Sequence, residues 1–143
     1  MNYQSKSLVS CIVTTKNRAS FFLQRAINSI LNQTHQNIEL IIINDASSDS
    51  TKSFLEKISN DKPRIDYISL NKSRGPQFCR NLGIKQANGN YIAFLDDDDE
   101  WLPKKIEKQI NLADTYSMVS CPANIVSEKG SNKQKIKFSD NLV

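Results

Sequence analysis

Short apolar runs alternate along the chain with longer stretches in which apolar residues recur every three or four positions. Leu8 to Thr14 is dominated by Leu, Val, Cys and Ile, the pattern of a buried strand. From Ser20 the period changes: Leu23, Ile27, Ile30 and Leu31 share one helical face, with Ser20 placed as a cap. Ile38 to Ile43 is a second buried strand that stops at Asn44-Asp45. Ser47, Ser48 and Asp49 then offer capping oxygens to a helix carrying Phe54, Leu55 and Ile58 on one face, and Pro63 closes that unit.

Ile65 to Leu70 alternates apolar and polar residues, as a strand with one exposed face does. Gly75-Pro76 opens a third helix, with Phe78, Cys79, Leu82 and Ala87 expected inward and Asn88-Gly89 expected to terminate it. Tyr91 to Leu95 is the next buried strand and runs directly into Asp96-Asp97-Asp98-Asp99-Glu100. Pro103 is expected to start a helix with Leu102, Ile106, Ile110 and Ala113 in register. Met118 to Val126 reads as a further strand, and residues 128–132 as a turn into a polar strand near Ile136 and Phe138.

Such alternation implies right-handed crossovers and a Rossmann-like α/β fold, a mostly parallel central sheet with helices on both faces. Ligands bind these sheets beyond the carboxyl ends of the strands. Thr14-Thr15-Lys16-Asn17, Asn44-Asp45 and Asp96 to Asp99 all fall at such ends, so three strands aim polar chemistry at one edge.

Composition narrows the classes further. At 143 residues, 38% hydrophobic and 24% charged, the chain is one ordinary globular domain. It can bury roughly 68–70% of its unfolded surface, so neither metal nor disulfide is needed to hold it together. The 19 basic and 15 acidic residues leave +4, scattered too widely to support a nucleic-acid partner; the densest run, Lys129, Lys133, Lys135 and Lys137, reads as a solvated face. Cys11, Cys79 and Cys121 lie far apart beside a single histidine, His35, which is neither a zinc site nor a disulfide framework and fits a reducing, cytoplasmic setting. Cys11 reads as a small core hydrophobe, Trp101 as a packing residue and His35 as a solvent-exposed bystander. No apolar run approaches the ~18 residues of a membrane span, and the N-terminal apolar run is too brief for a signal peptide.

Four aspartates and a glutamate in succession after a buried strand call for positive charge among them. Hard oxygen ligands suit Mg²⁺ or Mn²⁺, which take one or two protein carboxylates and complete their shell with water and phosphate. Asp96 and Asp98, two apart, can face one side of an extended loop and are the candidate metal ligands; Asp99 and Glu100 are expected to serve the dipole of the next helix. Arg74 and Arg80 bracket the start of the third helix, near Lys72, and suit phosphate oxygens, although Arg80 equally suits a structural ion pair. Asp45 has two open readings: acceptor for a nucleobase N–H, or cap of the Ser47-Ser48 turn. A P-loop is absent, and glycines at 75, 83, 89 and 130 cannot form G-x-G-x-x-G. Trp101 stands where an EF-hand loop needs glycine.

VSCIVTTKNRASFFLQRAINSILNQTHQNIELIIINDASSDST, followed by NKSRGPQFCRNLGIKQANGNYIAFLDDDDEWLP, resembles the nucleotide-binding half of family 2 glycosyltransferases, which adopt the GT-A fold. The resemblance covers Leu8 to Leu112. It implies an inverting transferase that uses a nucleotide-diphospho-sugar, commonly a UDP-sugar, with Mn²⁺ or Mg²⁺. Thr14, Thr15 and Asn17 then correspond to the first nucleotide-contacting loop and Asp45 to the base-recognising aspartate. Arg74 and Arg80 fall in the phosphate-side helix, Asp96 and Asp98 hold the metal, and Asp97 between them joins the nucleotide contacts. The family's usual Asp-Asp-Gly-Ser reads Asn44-Asp45-Ala46-Ser47 here, and the proline and tyrosine common in its first loop are Thr14 and Lys16.

The resemblance thus implies a donor-binding core over residues 8–112, with 113–143 the start of an acceptor-side region, so the single domain is C-terminally short of a complete GT-A transferase. The expected acceptor is a carbohydrate or lipid-linked glycan in polysaccharide synthesis, which would bring peripheral contact with the inner face of the membrane. The general base stays unassigned, with Asp114, Glu128 and Asp140 the remaining acidic candidates. A non-catalytic nucleotide-sugar-binding module is the alternative function. A nucleotidyltransferase would carry a glycine-rich basic loop near its N-terminus, which is missing.

Overall fold

A computed structural model describes residues 7–19, 21–62, 64–113, 115–125 and 134–136. The expected roles of Ser20, Pro63, Asp114, Val126, Glu128, the 128–132 turn, Phe138 and Asp140 lie outside these residues.

The elements follow the alternating pattern: β1 (Val9–Thr15), α1 (Phe21–Leu31), β2 (Ile38–Asn44), α2 (Thr51–Asp61), β3 (Ile65–Ser69), α3 (Pro76–Gln86), β4 (Tyr91–Asp96) and α4 (Lys105–Ala113). A short antiparallel pair, β5 (Ala123–Ile125) and β6 (Gln134–Ile136), comes last. The main sheet has the order β3-β2-β1-β4, parallel throughout. Chain order steps outward from β1 to β3 and then returns across the sheet to β4. With right-handed crossovers, that reversal places α3 on the opposite face from α1 and α2.

The core bears this out with the two-residue period of the strands. Val9, Cys11 and Val13 of β1 and Ile38, Leu40 and Ile42 of β2 pack with Leu23, Ile27 and Ile30 of α1, Leu55 of α2, and Trp101, Ile106 and Ile110. Ile41 and Ile43 face the other way, against Cys79 of α3 and the half-buried Leu82. β4 is one of the two outer strands of the sheet, opposite β3, and its Ile92 and Phe94 are exposed.

Several local expectations change. His35 is buried, its Nε2 3.0 Å from the carbonyl of Ser7, because the α1–β2 connection lies against the residues that lead into β1. Phe78 is exposed, since α3 turns Cys79 and Gly83 to the sheet. Leu102 is also exposed, because α4 begins only at Lys105 and residues 101–104 are not helical. Met118 is 83% exposed, and the strand expected over 118–126 shrinks to β5.

The end of α3 likewise differs from a glycine-terminated helix. Its cap is Ala87 in an extended conformation, and Gly89 has no left-handed φ. Gly89 is small for another reason: a Cβ there would lie 2.7 Å from the Ser10 nitrogen and 2.8 Å from the Leu8 carbonyl. The connection is drawn onto β1 by Glu39, a carboxylate inside β2 that accepts from the Ser10 hydroxyl and from the Asn88 amide nitrogen at 2.7 Å, while the Gly89 N–H donates to Ser10 Oγ at 2.8 Å. Burial alone would raise the Glu39 pKa, but these bonds outweigh it and hold it below the ordinary value.

Gly89→Ala must push backbone against backbone. It is expected to cost about 1–3 kcal/mol, the usual range for overpacking, read as a lower urea midpoint; an unchanged midpoint would show that this contact relaxes freely.

Candidate functional site

The sheet register brings the strand ends level. Thr15 pairs with Asn44, Thr14 with Asp96, and Asn44 with Ser69, so the loops after all four strands leave from one edge.

The first two loops are stitched together by side chains. Asn17 takes the left-handed conformation, φ 53°, which asparagine tolerates better than most residues. Its N–H donates to Ser47 Oγ at 2.8 Å, and its Oδ1 accepts from the Ser48 N–H at 2.8 Å. Asp49 Oδ1 accepts from the Thr51 N–H at 2.9 Å, supplying the first turn of α2, and its Oδ2 accepts from Ala19. Asn44, not Asp45, caps the Ser47 turn: its Oδ1 accepts from the Ser47 N–H at 3.2 Å and also from its hydroxyl.

Asp45 reaches instead to the loop before α3. Its carboxylate accepts from Ser73 Oγ at 2.7 Å, Arg74 N–H at 2.7 Å and Gly75 N–H at 3.1 Å. Burial pushes the Asp45 pKa up, and these bonds together with one from Cys79 more than reverse it, leaving the group below the ordinary aspartate value. Gly75, at φ 86°, is the N-cap of α3, and its left-handed backbone lets the loop turn both N–H groups onto the carboxylate. Lys16 Nζ donates to Ser73 Oγ at 2.9 Å and so ties the first loop to the third.

The acidic run closes the edge, and arginines from α3, the β1–α1 loop and α1 meet it. Arg80 of α3 contacts Asp96 Oδ1 at 2.7 Å. Arg18, from the β1–α1 loop, lies 3.6 Å from Asp97 and 3.3 Å from Asp98. Arg25 of α1 donates to the Asp98 carbonyl at 3.0 Å and lies 3.5 Å from Glu100. Thr15 Oγ1 donates to Asp97 Oδ2 at 2.7 Å. Asp97 is the half-buried member, and burial pushes its pKa up against that hydrogen bond and the Arg18 charge. Asp99 is pushed up by burial and by Asp98 and Asp96. Asp99 and Glu100 do not serve the α4 dipole, because that helix starts five residues beyond Glu100.

Of the residues expected at the site, the fold gathers Thr14, Thr15, Asn17, Asp45, Arg80, Asp96, Asp97 and Asp98 at one edge. The Arg74 backbone joins them, but its guanidinium lies 4.4 Å over the Phe78 ring. Arg18 and Ser73 are members that pattern reading did not single out, and Asn44, placed at its strand end, was given no role of its own. Arg18 carried a usable signal, as the first arginine after a strand end that must face an acidic run. Cys11 and Cys79 are buried, and burial pushes their thiols up to about 12 and about 11, away from the thiolate form.

Among the described residues no three His, Cys, Asp or Glu side chains converge as a closed metal cage. Asp96 and Asp98, 57% and 50% exposed, offer two hard carboxylates already paired with cations, which fits a divalent ion bound by one or two carboxylates and completed by phosphate.

Parallel strands that end at one shared edge, with helices on both faces, define a Rossmann-like α/β class of protein. The model of the glycosyl transferase family 2 matches residues 10–140, and the chain belongs to that family. It is 39% identical over 129 residues to the GalNAc(5)-diNAcBac-PP-undecaprenol beta-1,3-glucosyltransferase of Campylobacter jejuni, covering 89% of this chain and 41% of that protein. It is 38% identical over 122 residues to the UDP-Glc:alpha-D-GlcNAc-diphosphoundecaprenol beta-1,3-glucosyltransferase WfaP of Escherichia coli, covering 85% and 47%. The crystal structure of S. aureus TarS 1-349 in complex with UDP superposes with a TM-score of 0.66 at 27% identity, covering 75% of this chain and 32% of that one. The fold is GT-A, and the chain spans less than half the length of these relatives. No helix among the described residues is long and apolar enough to cross a membrane.

Asp45→Asn tests the loop clamp. A carboxylate held below its unfolded pKa of 3.8 contributes stability that is complete above that pH and is lost as the pH falls through the folded value. The variant is therefore expected to be less stable than the parent by about 1.5–3 kcal/mol at pH 7, with the gap closing as the pH is taken below 3.8. Urea midpoints at both pH values check this, and a pH-independent gap would contradict it.

Proposed function

We propose that this chain is the donor-binding part of an inverting glycosyltransferase that moves a sugar from a nucleotide-diphospho-sugar, with UDP as the nucleotide, to an acceptor hydroxyl. The observation that carries this is the meeting of Arg80 and Arg18 with Asp96, Asp97 and Asp98 at the shared strand edge, in a chain of glycosyl transferase family 2. The TarS structure was determined with UDP, and the C. jejuni and E. coli relatives are named for undecaprenol-linked substrates. These support a UDP-sugar donor and a lipid-linked acceptor, used in the cytoplasm at the inner face of the membrane for cell-envelope glycan synthesis.

In this reading Thr14, Thr15 and Asn17 shape the nucleotide side of the edge. Asp45 recognises the base, giving up the weak Cys79 contact while its bonds to residues 73–75 keep the loop in place. Arg74 and Arg80 take the diphosphate, and Asp97 aids the nucleotide contacts. Asp96 and Asp98 would hold Mn²⁺ or Mg²⁺, which supplies Lewis-acid stabilisation of the departing diphosphate. Arg80, held 2.7 Å from Asp96, already lies beside the carboxylate that would hold the ion and offers its fork to a phosphate oxygen there. Inversion places a base opposite the leaving group. Residues 8–112 form the donor core, and we assign that base to the acceptor-side region that begins with residues 113–143.

Calorimetric titration with UDP is expected to show binding that depends on Mn²⁺ and weakens ~10-fold or more in Asp98→Ala, the scale on which even supporting residues of metal sites act. UDP binding indifferent to metal would sink the proposal. Binding without sugar transfer across UDP-sugars and acceptors would select a nucleotide-sugar-binding module.

A further inference from the structure

We infer that Gln33 is a positioning residue for the acidic run, holding the segment beyond that run against α1. The inference rests on the proposed metal role of Asp96 and Asp98. β4 fixes where the run begins. Within it the structure shows one backbone turn bond, from the Asp99 N–H to the Asp96 carbonyl at 3.1 Å; Thr15 and the arginines hold individual members, and the far end of its path is set by what anchors the segment after it.

That anchor is polar and lies at the end of α1. The Trp101 N–H donates to Ser29 Oγ at 3.1 Å, and the Thr34 N–H donates to the Pro103 carbonyl at 2.8 Å. Between them sits Gln33, 1% exposed. Its Nε2 donates to the Leu102 carbonyl at 2.8 Å and to the Ser29 carbonyl at 3.0 Å, while its Oε1 accepts from the Ile106 N–H at 3.0 Å.

Ile106 is the second residue of α4, so its N–H is one of the four that a helix cannot satisfy internally. One side chain, two residues beyond the end of α1, thus caps α4 and secures the segment ahead of it. This needs two donors and an acceptor on one planar group, which glutamine has and glutamate or methionine lacks. Five residue steps lead from Asp96 to Trp101, a reach of at most ~18 Å. Asp96 stays with β4, so displacing the anchor is expected to move Asp98 and the residues after it.

Gln33→Met and the milder Ser29→Ala separate this role from general stability. Trp101 is the sole tryptophan, so its emission reports the segment directly. In Gln33→Met the emission is expected to shift to the red, and the Mn²⁺ dissociation constant, measured by spin resonance with UDP present, to rise ~10-fold or more. UDP affinity in EDTA is expected to stay within twofold of the parent, and Ser29→Ala to show the same changes in smaller measure. Unchanged Trp101 emission, an unchanged Mn²⁺ constant, or parallel loss of Mn²⁺ and metal-free UDP binding would each overturn the inference. Should Gln33→Met not fold, Ser29→Ala decides by the same readouts. If the parent chain itself shows no Mn²⁺-dependent binding, the donor-site proposal has failed, and the positioning role falls with it even where Trp101 moves.

Discussion

Carboxylates crowded at the end of a buried strand repel one another, and the fold must deliver positive charge to them from elsewhere in the chain. Asp96 to Glu100 cannot be served by the strand before them, and no basic residue lies between Leu95 and Lys104. The parallel sheet solves this by bringing the end of β1 and the start of α3 to the same level. Arg18 and Arg80, 78 and 16 positions from Asp96, arrive there because the strands are in register and α3 crosses back over β2 and β1. The order β3-β2-β1-β4 is thus as much an electrostatic arrangement as a way of covering a core.

The alternation of strand and helix was legible because apolar periodicity is strong in β1, β2, α1 and α2, where tertiary burial and local pattern agree. It failed where they part. Leu102 and Phe78 have apolar side chains at helical spacing, yet one precedes its helix and the other lies beneath an arginine. His35 looked solvated because its neighbours are polar, but burial there is decided by the Ser7 carbonyl, a contact 28 positions away. Glu39 reads as an intruder in a strand until Ser10 and Asn88 are placed around it.

The site was legible by position and less so by partner. Strand-end placement located Thr14, Thr15, Asp45 and Asp96 to Asp98 without knowledge of any distance. What could not be read was which loop each side chain binds. Asp45 had a local turn within reach and spans instead to residues 73–75, leaving the turn to Asn44. Such choices depend on loop approach in three dimensions, and Gly75 with its positive φ is the one residue that hinted at it. Several hydrogen bonds at this edge join loops to loops, so the ligand edge and the structural scaffold share the same atoms.

Ala46 carries a lesson about what a sequence signature records. Its φ of 55° is a conformation that glycine adopts freely and alanine resists, and it occupies the place of the usual glycine in Asp-Asp-Gly-Ser. The turn keeps its shape because Asn44 and Asn17 hold Ser47 and Ser48 from both sides. The glycine of that signature therefore encodes a backbone angle and not a chemical group. Chains in which neighbouring amides impose the angle can shed the glycine and keep the turn, so the backbone geometry, not the letter, is the property by which divergent members are to be found.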